Sequence, residues 1–180
     1  MKILANDGIS QSGIDDLTAA GFEVLTTTVA QEQLENFINT ENIVALLVRS
    51  ATTVRQDLID ACPGLKIIGR GGVGMDNIDV SYAREKGLSV INTPAASSES
   101  VAELVFAHLF SGVRFLYDSN RNMPLDGEKK FKNLKKAYAK GTELRGKTLG
   151  VIGFGRIGQA TAKMALGLGM KVIAFDPFME

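Results

Sequence analysis

Six consecutive apolar residues, Ile43-Val44-Ala45-Leu46-Leu47-Val48, leave no polar position on either side of a strand. Successive side chains of a strand point to opposite faces, so a sheet with one wet face would show alternation. A run that is apolar on both faces belongs in the interior of a sheet covered on both sides. Parallel sheets with crossover helices have that form, because each crossover lays a helix on one face.

The flanking sequence supplies the other strands and helices. Lys2 to Ala5 reads as a buried strand, Ile14 to Ala20 as a helix closed by Gly21, and Glu23 to Thr28 as a β-branched strand. Gln31 to Ile38 carries Leu34, Phe37 and Ile38 at helical spacing. Val54 to Ala61 is helical and ends at Pro63-Gly64. Leu65 to Gly69 is a strand, Val80 to Lys86 a helix stopped by Gly87, and Leu88 to Asn92 a strand. Residues 1–93 thus predict an α/β domain of the flavodoxin-like kind, five parallel strands with helices between them.

After this the text changes. Ser97, Ser98 and Ser100 offer helix-capping oxygens, and Ser100 with Glu103 has capping-box spacing. Val101, Leu104, Val105, His108, Leu109, Phe115 and Leu116 form an apolar stripe, predicting one long helix with His108 as a core histidine. Tyr117 to Thr142 is polar and lysine-rich (Lys129, Lys130, Lys132, Lys135, Lys136 and Lys140) and reads as an excursion from the compact body. Residues 147–176 form a strand, a glycine turn, a helix and another strand.

That last unit carries the chemistry. An apolar strand runs into Gly153-x-Gly155-x-x-Gly158, and Asp176 ends the next strand, 18 residues after Gly158. Gly153 permits the tight turn, Gly155 leaves room for a pyrophosphate, and Gly158 lets helix and strand approach closely. The backbone N–H groups of the first helical turn, at Arg156, Ile157 and Gly158, are free to hold a diphosphate. Asp176 is placed for a ribose 2′-hydroxyl and would repel a 2′-phosphate, which favours NAD over NADP. The fold expected for 94–180 is the beginning of a Rossmann NAD-binding domain.

Composition excludes several alternatives. Twenty basic and twenty acidic residues cancel, which argues against a nucleic-acid or membrane-surface binder. Cys62 stands alone, so no internal disulfide forms, and a structural thiol is expected. No apolar run is long enough for a signal peptide or a membrane span, so a cytoplasmic protein is expected. No metal-ligand spacing stands out.

Several stretches resemble the D-isomer-specific 2-hydroxyacid dehydrogenases. They are Val48-Arg49-Ser50-Ala51-Thr52, Gly69-Arg70-Gly71-Gly72-Val73-Gly74-Met75-Asp76-Asn77-Ile78-Asp79, Asn92-Thr93-Pro94, Ser100-Val101-Ala102-Glu103 and Gly141-Thr142-Glu143-Leu144. The resemblance implies that amides around Gly72, Val73 and Gly74 hold a substrate carboxylate, and that Val73 lies near the nicotinamide. It implies that Arg49, Ser50 and Arg70 bind a small phosphorylated 2-hydroxy acid. The plainer alternative makes the arginines surface cations paired with carboxylates. The region 97–142 would form an arm in a homodimer or larger homo-oligomer. The family's catalytic arginine, glutamate and histidine have no matching positions here. They are expected beyond Glu180, and the 180-residue chain alone is expected to be inactive. Within the family, glyoxylate, hydroxypyruvate and D-lactate enzymes are alternatives. So is a non-enzymatic, NAD-sensing corepressor of the same fold.

Overall fold

The computed structural model describes residues 1–178. The chain divides into two compact units, Met1–Ala96 and a second from Ser97 on. The first alternates β1 (Lys2–Ala5), α1 (Gln11–Ala19), β2 (Glu23–Leu25), α2 (Gln31–Glu41), β3 (Ile43–Val48), α3 (Gln56–Ala61), β4 (Ile67–Arg70), α4 (Val80–Glu85) and β5 (Ser89–Asn92). Every strand pair is parallel, in the order β2-β1-β3-β4-β5, which is the flavodoxin-like order. The chain reverses direction across the sheet between β1 and β3, which opens a crevice at their carboxyl ends.

One face of this sheet is dry. Leu4, Leu46 and Ile68 are fully buried against Leu34 and Ile38 of α2 and Leu58 and Ile59 of α3. The opposite face departs from the expected double cover, because Ile67 and Ile91 stay 37% and 57% exposed. Cys62 is buried in the dry core, and burial, then the charge of Glu35, push its thiol up to about 11.

Element ends differ from expectation for local reasons. The helix α1 starts early because Ser10 caps it, its hydroxyl accepting from the Gly13 N–H at 3.3 Å. The edge strand β2 stops at Leu25 because β1 pairs with it only from Lys2 to Leu4. The helix α2 runs on to Glu41 and stops where Asn42 turns left-handed, at φ 55°.

The second unit holds α5 (Ser98–Val113), α6 (Leu116–Tyr138), β6 (Thr148–Ile152), α7 (Arg156–Gly167) and β7 (Lys171–Phe175). Strands β6 and β7 pair in parallel from Thr148–Lys171 to Ile152–Phe175. The expected long helix is two helices, broken where Phe115 adopts φ 55°. Its buried face is also different from the stripe that the sequence suggests. Ala102 and Phe106 are buried, whereas Val101, Leu104, Val105 and His108 are exposed. The packing partner decides this: Phe106 joins Leu144, Ala165 and Met170 in one cluster, and the small Ala165 on α7 admits it. His108 is therefore not a core histidine. Ser100 lies inside α5 rather than at its cap, which is Ser97, and no side chain caps this end.

The lysine-rich stretch is largely helical. Although α6 contains Pro124, it continues to a kink at Lys130, and none of its residues is buried. Past the kink it folds back, so that Asn122 donates to the Tyr138 hydroxyl at 3.2 Å and the Tyr138 ring lies 6.1 Å from Phe115. Among the described residues no helix is long and apolar enough to cross a membrane.

Candidate functional site

The carboxyl ends of β1, β3, β4 and β5 meet at a cleft of about 680 Å³. Its floor is Leu47, Gly69 and Ile91, which stand in register on three neighbouring strands. Its rim carries Asp7, Arg49, Arg70, Asn92 and Thr93. Parallel strands end together, so their following loops converge, and residues far apart in sequence face one space.

Both sequence-predicted arginines stand here, one residue after β3 and at the last residue of β4. The Arg49 side chain is exposed, and Arg70 is half-buried. Arg70 Nε donates to the Arg49 carbonyl at 3.2 Å and to Asn77 Oδ1 at 3.1 Å. Its guanidinium lies over Gly72, where a Cβ would sit 2.4 Å from Nη1. Among the described residues neither arginine has a carboxylate partner, so both positive charges are available to an anion. Ser50 is exposed beside Arg49.

The three amides at Gly72, Val73 and Gly74 are not equivalent. Gly72 N–H donates to the Arg70 carbonyl at 3.0 Å. The N–H groups of Val73 and Gly74 have no acceptor among the described residues. The loop that presents them is tied to β5: Asn92 Nδ2 donates to the Val73 carbonyl at 2.7 Å, and Thr93 N–H to that of Gly72 at 3.2 Å.

Sequence reasoning missed the residues that shape these loops. Asp7 accepts backbone N–H groups from Arg49 at 2.6 Å, Thr52 at 3.1 Å and Ala51 at 3.2 Å, together with the Thr52 hydroxyl. Burial alone would raise its pKa. The four hydrogen bonds, led by those from Thr52, outweigh burial and hold the carboxyl below the usual carboxylate range. Asn77 Nδ2 donates to the carbonyls of Thr52 at 2.7 Å and Arg49 at 2.9 Å. Buried Asn6 donates to Val29 and Thr52 and accepts the Val29 N–H. The only signal in sequence was polar Asn6-Asp7 directly after a buried strand.

The second unit contributes the glycine turn. Gly153 has φ 91° and donates to the Phe175 carbonyl at 2.8 Å, joining the ends of β6 and β7. A Cβ on Gly158 would lie 2.2 Å from the Gly153 carbonyl oxygen, so only glycine allows this approach. Gly155, at the N-cap of α7, faces open space within 4 Å, and no side chain caps the helix. Arg156 and Ile157 are exposed on its first turn. Asp176 Oδ2 accepts the Phe154 N–H at 2.7 Å and Oδ1 that of Phe178 at 2.9 Å. These bonds, Phe178 first, hold its carboxyl below the usual carboxylate range. Each oxygen keeps a lone pair for a ligand hydroxyl. Open space over Gly155, an uncapped helix start and an ionised acceptor at the next strand's tip fit a dinucleotide.

Residues 3–173 match the catalytic domain of the D-isomer-specific 2-hydroxyacid dehydrogenases, and the chain belongs to that family. A hydroxypyruvate reductase from Thermotoga maritima is 48% identical over 155 residues, covering 86% of this chain and 48% of its own. A D-3-phosphoglycerate dehydrogenase from Methanocaldococcus jannaschii is 42% identical over 179 residues, 99% of this chain and 33% of its own. An NAD⁺-bound 3-phosphoglycerate dehydrogenase from Entamoeba histolytica superposes with a TM-score of 0.74 at 30% identity, covering 100% of this chain and 55% of its own. The chain spans between a third and a half of the length of these two curated relatives.

Proposed function

We propose that the protein takes part in NAD-dependent oxidation of 3-phosphoglycerate to 3-phosphohydroxypyruvate, the first step of serine synthesis. The observation that carries this reading is the pair of arginines at neighbouring strand tips, neither matched to a carboxylate among the described residues. An acid with two anionic ends uses both. The Val73 and Gly74 amides, unengaged among the described residues, suit its carboxylate, and Arg49, Ser50 and Arg70 suit carboxylate and phosphate oxygens. Gly153, Gly155 and Gly158, with the first turn of α7 at Arg156 and Ile157, suit a diphosphate, and Asp176 suits an unphosphorylated ribose. NAD bound there would supply the acceptor for the hydride leaving C2. A homodimer or larger homo-oligomer in the cytoplasm belongs to the same proposal. Exposed Leu116, Tyr117, Met123 and Leu125 on α6 support the oligomer.

The 48% identity to a hydroxypyruvate reductase favours a second reading, reduction of hydroxypyruvate. Initial rates with the native protein separate the two. The phosphoglycerate reading expects kcat/KM for 3-phosphohydroxypyruvate to exceed that for hydroxypyruvate by about 10⁴-fold, since a site built for a polar group rejects the analogue lacking it. Faster turnover of hydroxypyruvate would overturn it.

A further inference from the structure

The bend from Arg49 to Thr52 is held from two sides. Asp7, just past β1, collects three of its amides and one hydroxyl. Asn77 holds two of its carbonyls and, through its own oxygen, the Arg70 Nε. Ser50 is the one residue of the bend that neither side chain engages.

A carboxylate on the rim of an anion-binding cleft is electrostatically adverse, since like charges raise the energy of a bound acid. Asp7 lines the same cleft as Arg49 and Arg70. Its charge needs a compensating role, and the hydrogen bonds supply one. Without an internal acceptor, the amides of Arg49, Ala51 and Thr52 would turn to water, and the bend could relax. Arg49 would then leave the cleft by rotation of its own backbone rather than of its side chain.

We propose that Asp7 is a positioning residue for acid recognition: by gathering the amides of the Arg49–Thr52 bend it fixes the direction in which Arg49 and Ser50 meet the substrate anion. The proposal rests on the reading of Arg49 as an anion ligand given above. It differs from a charge effect, which would make removal of Asp7 improve binding. It differs too from a purely structural role, which would lower the folded fraction and leave the KM of the folded protein unchanged.

Three substitutions in the native protein distinguish these roles, read by KM and kcat for phosphoglycerate, Kd for NADH and melting temperature. Asp7→Ala removes acceptor and charge. Asp7→Glu keeps the charge and displaces the acceptor by a methylene, so it carries the test if Asp7→Ala does not fold. Asp7→Asn removes the charge but keeps one oxygen where the three amides converge. The expected result is a KM raised about tenfold or more in Asp7→Ala and Asp7→Glu, largely restored in Asp7→Asn, with kcat within about threefold and NADH binding unchanged. With Arg49→Ala as the background, Asp7→Ala should raise KM by clearly less than its roughly tenfold effect in the wild type, because only the contribution through Ser50 is left to lose. If Arg49→Ala raises KM and the Asp7 variants do not, or if Ala and Asn behave alike, the positioning role is wrong. If Arg49→Ala itself leaves KM unchanged, the anion-ligand reading falls and takes the proposal with it.

Discussion

The loops of the first unit are shaped by side chains, and the turn of the second is shaped by backbone. Asp7, Asn77 and Asn92 reach across strand ends to fix the bend at Arg49 and the segment from Gly72 to Val73. Between β6 and α7, by contrast, the geometry comes from a positive φ at Gly153, the missing Cβ of Gly158 and open space over Gly155. One carboxylate, Asp176, is added to that turn. The difference suits what each is proposed to hold. A small acid of fixed shape calls for cations held in place by a supporting shell. A diphosphate can be held by the amides that every helix start presents, provided that nothing blocks approach. The sheets differ in the same sense. The first buries Leu4, Leu46 and Ile68 completely, whereas the described β6–β7 pair leaves Ile152, Ile173 and Phe175 at 90%, 65% and 66% exposure.

The largest effect should come from a side chain placed where the backbone needs none. Gly158→Val would push against the Gly153 carbonyl, which is main chain and cannot rotate away. We expect destabilisation of about 3 kcal/mol or more, the upper end for overpacking, and loss of NADH binding by fluorescence titration. If NADH still binds normally, the backbone-built turn is not the cofactor site.

Next in size are the two cations. Arg49→Ala and Arg70→Ala should each lower kcat/KM for phosphoglycerate by an equivalent of about 2–5 kcal/mol and leave NADH affinity unchanged. A matching loss of NADH affinity would erase the division between the units. Asp176→Ala should then weaken NAD by roughly tenfold and narrow its preference over NADP. Because Asp176 also accepts the Phe154 N–H, part of that loss should come from a loosened turn, visible as faster amide exchange at Phe154.

The smallest effect concerns pH. The Asp7 carboxyl titrates below its ordinary value in the folded protein, so the unfolded chain takes up its proton first as pH falls. Its stabilisation is therefore fully present above the unfolded value near 3.8 and fades as pH drops through the lower folded value. The stability gap between wild type and Asp7→Asn should shrink over that acidic window. Solvent screening keeps the change within about 1 kcal/mol. A gap that widens on acidification would reverse the sign of the argument.

What could be read in the sequence was what lies in one contiguous stretch. Ile43–Val48 is the strand that its unbroken apolar run requires, and Gly153, Gly155 and Gly158 sit in the turn that their spacing specifies. Asp7 was illegible because its partners are 42 to 45 residues away, and Asn-Asp-Gly after a strand reads only as a turn. The buried face of α5 was illegible for another reason. Val101, Leu104 and Val105 on one side and Phe106, Leu109 and Val113 on another are both apolar, and only the packing on α7 chooses between them. In α6 the polar, lysine-rich composition gave no helical stripe to read, and the helix persists past Pro124, with Asp126 paired to Lys130 at 2.9 Å.

The division of labour between the units is tested most directly by amide hydrogen exchange of the native protein with NAD alone and with 3-phosphoglycerate alone. NAD is expected to slow exchange at Arg156, Ile157 and Gly158 and to leave Gly74 unchanged, and phosphoglycerate to slow exchange at Val73 and Gly74 and to leave the glycine turn unchanged. Protection by phosphoglycerate confined to the glycine turn, or none at Val73 and Gly74, would contradict that division.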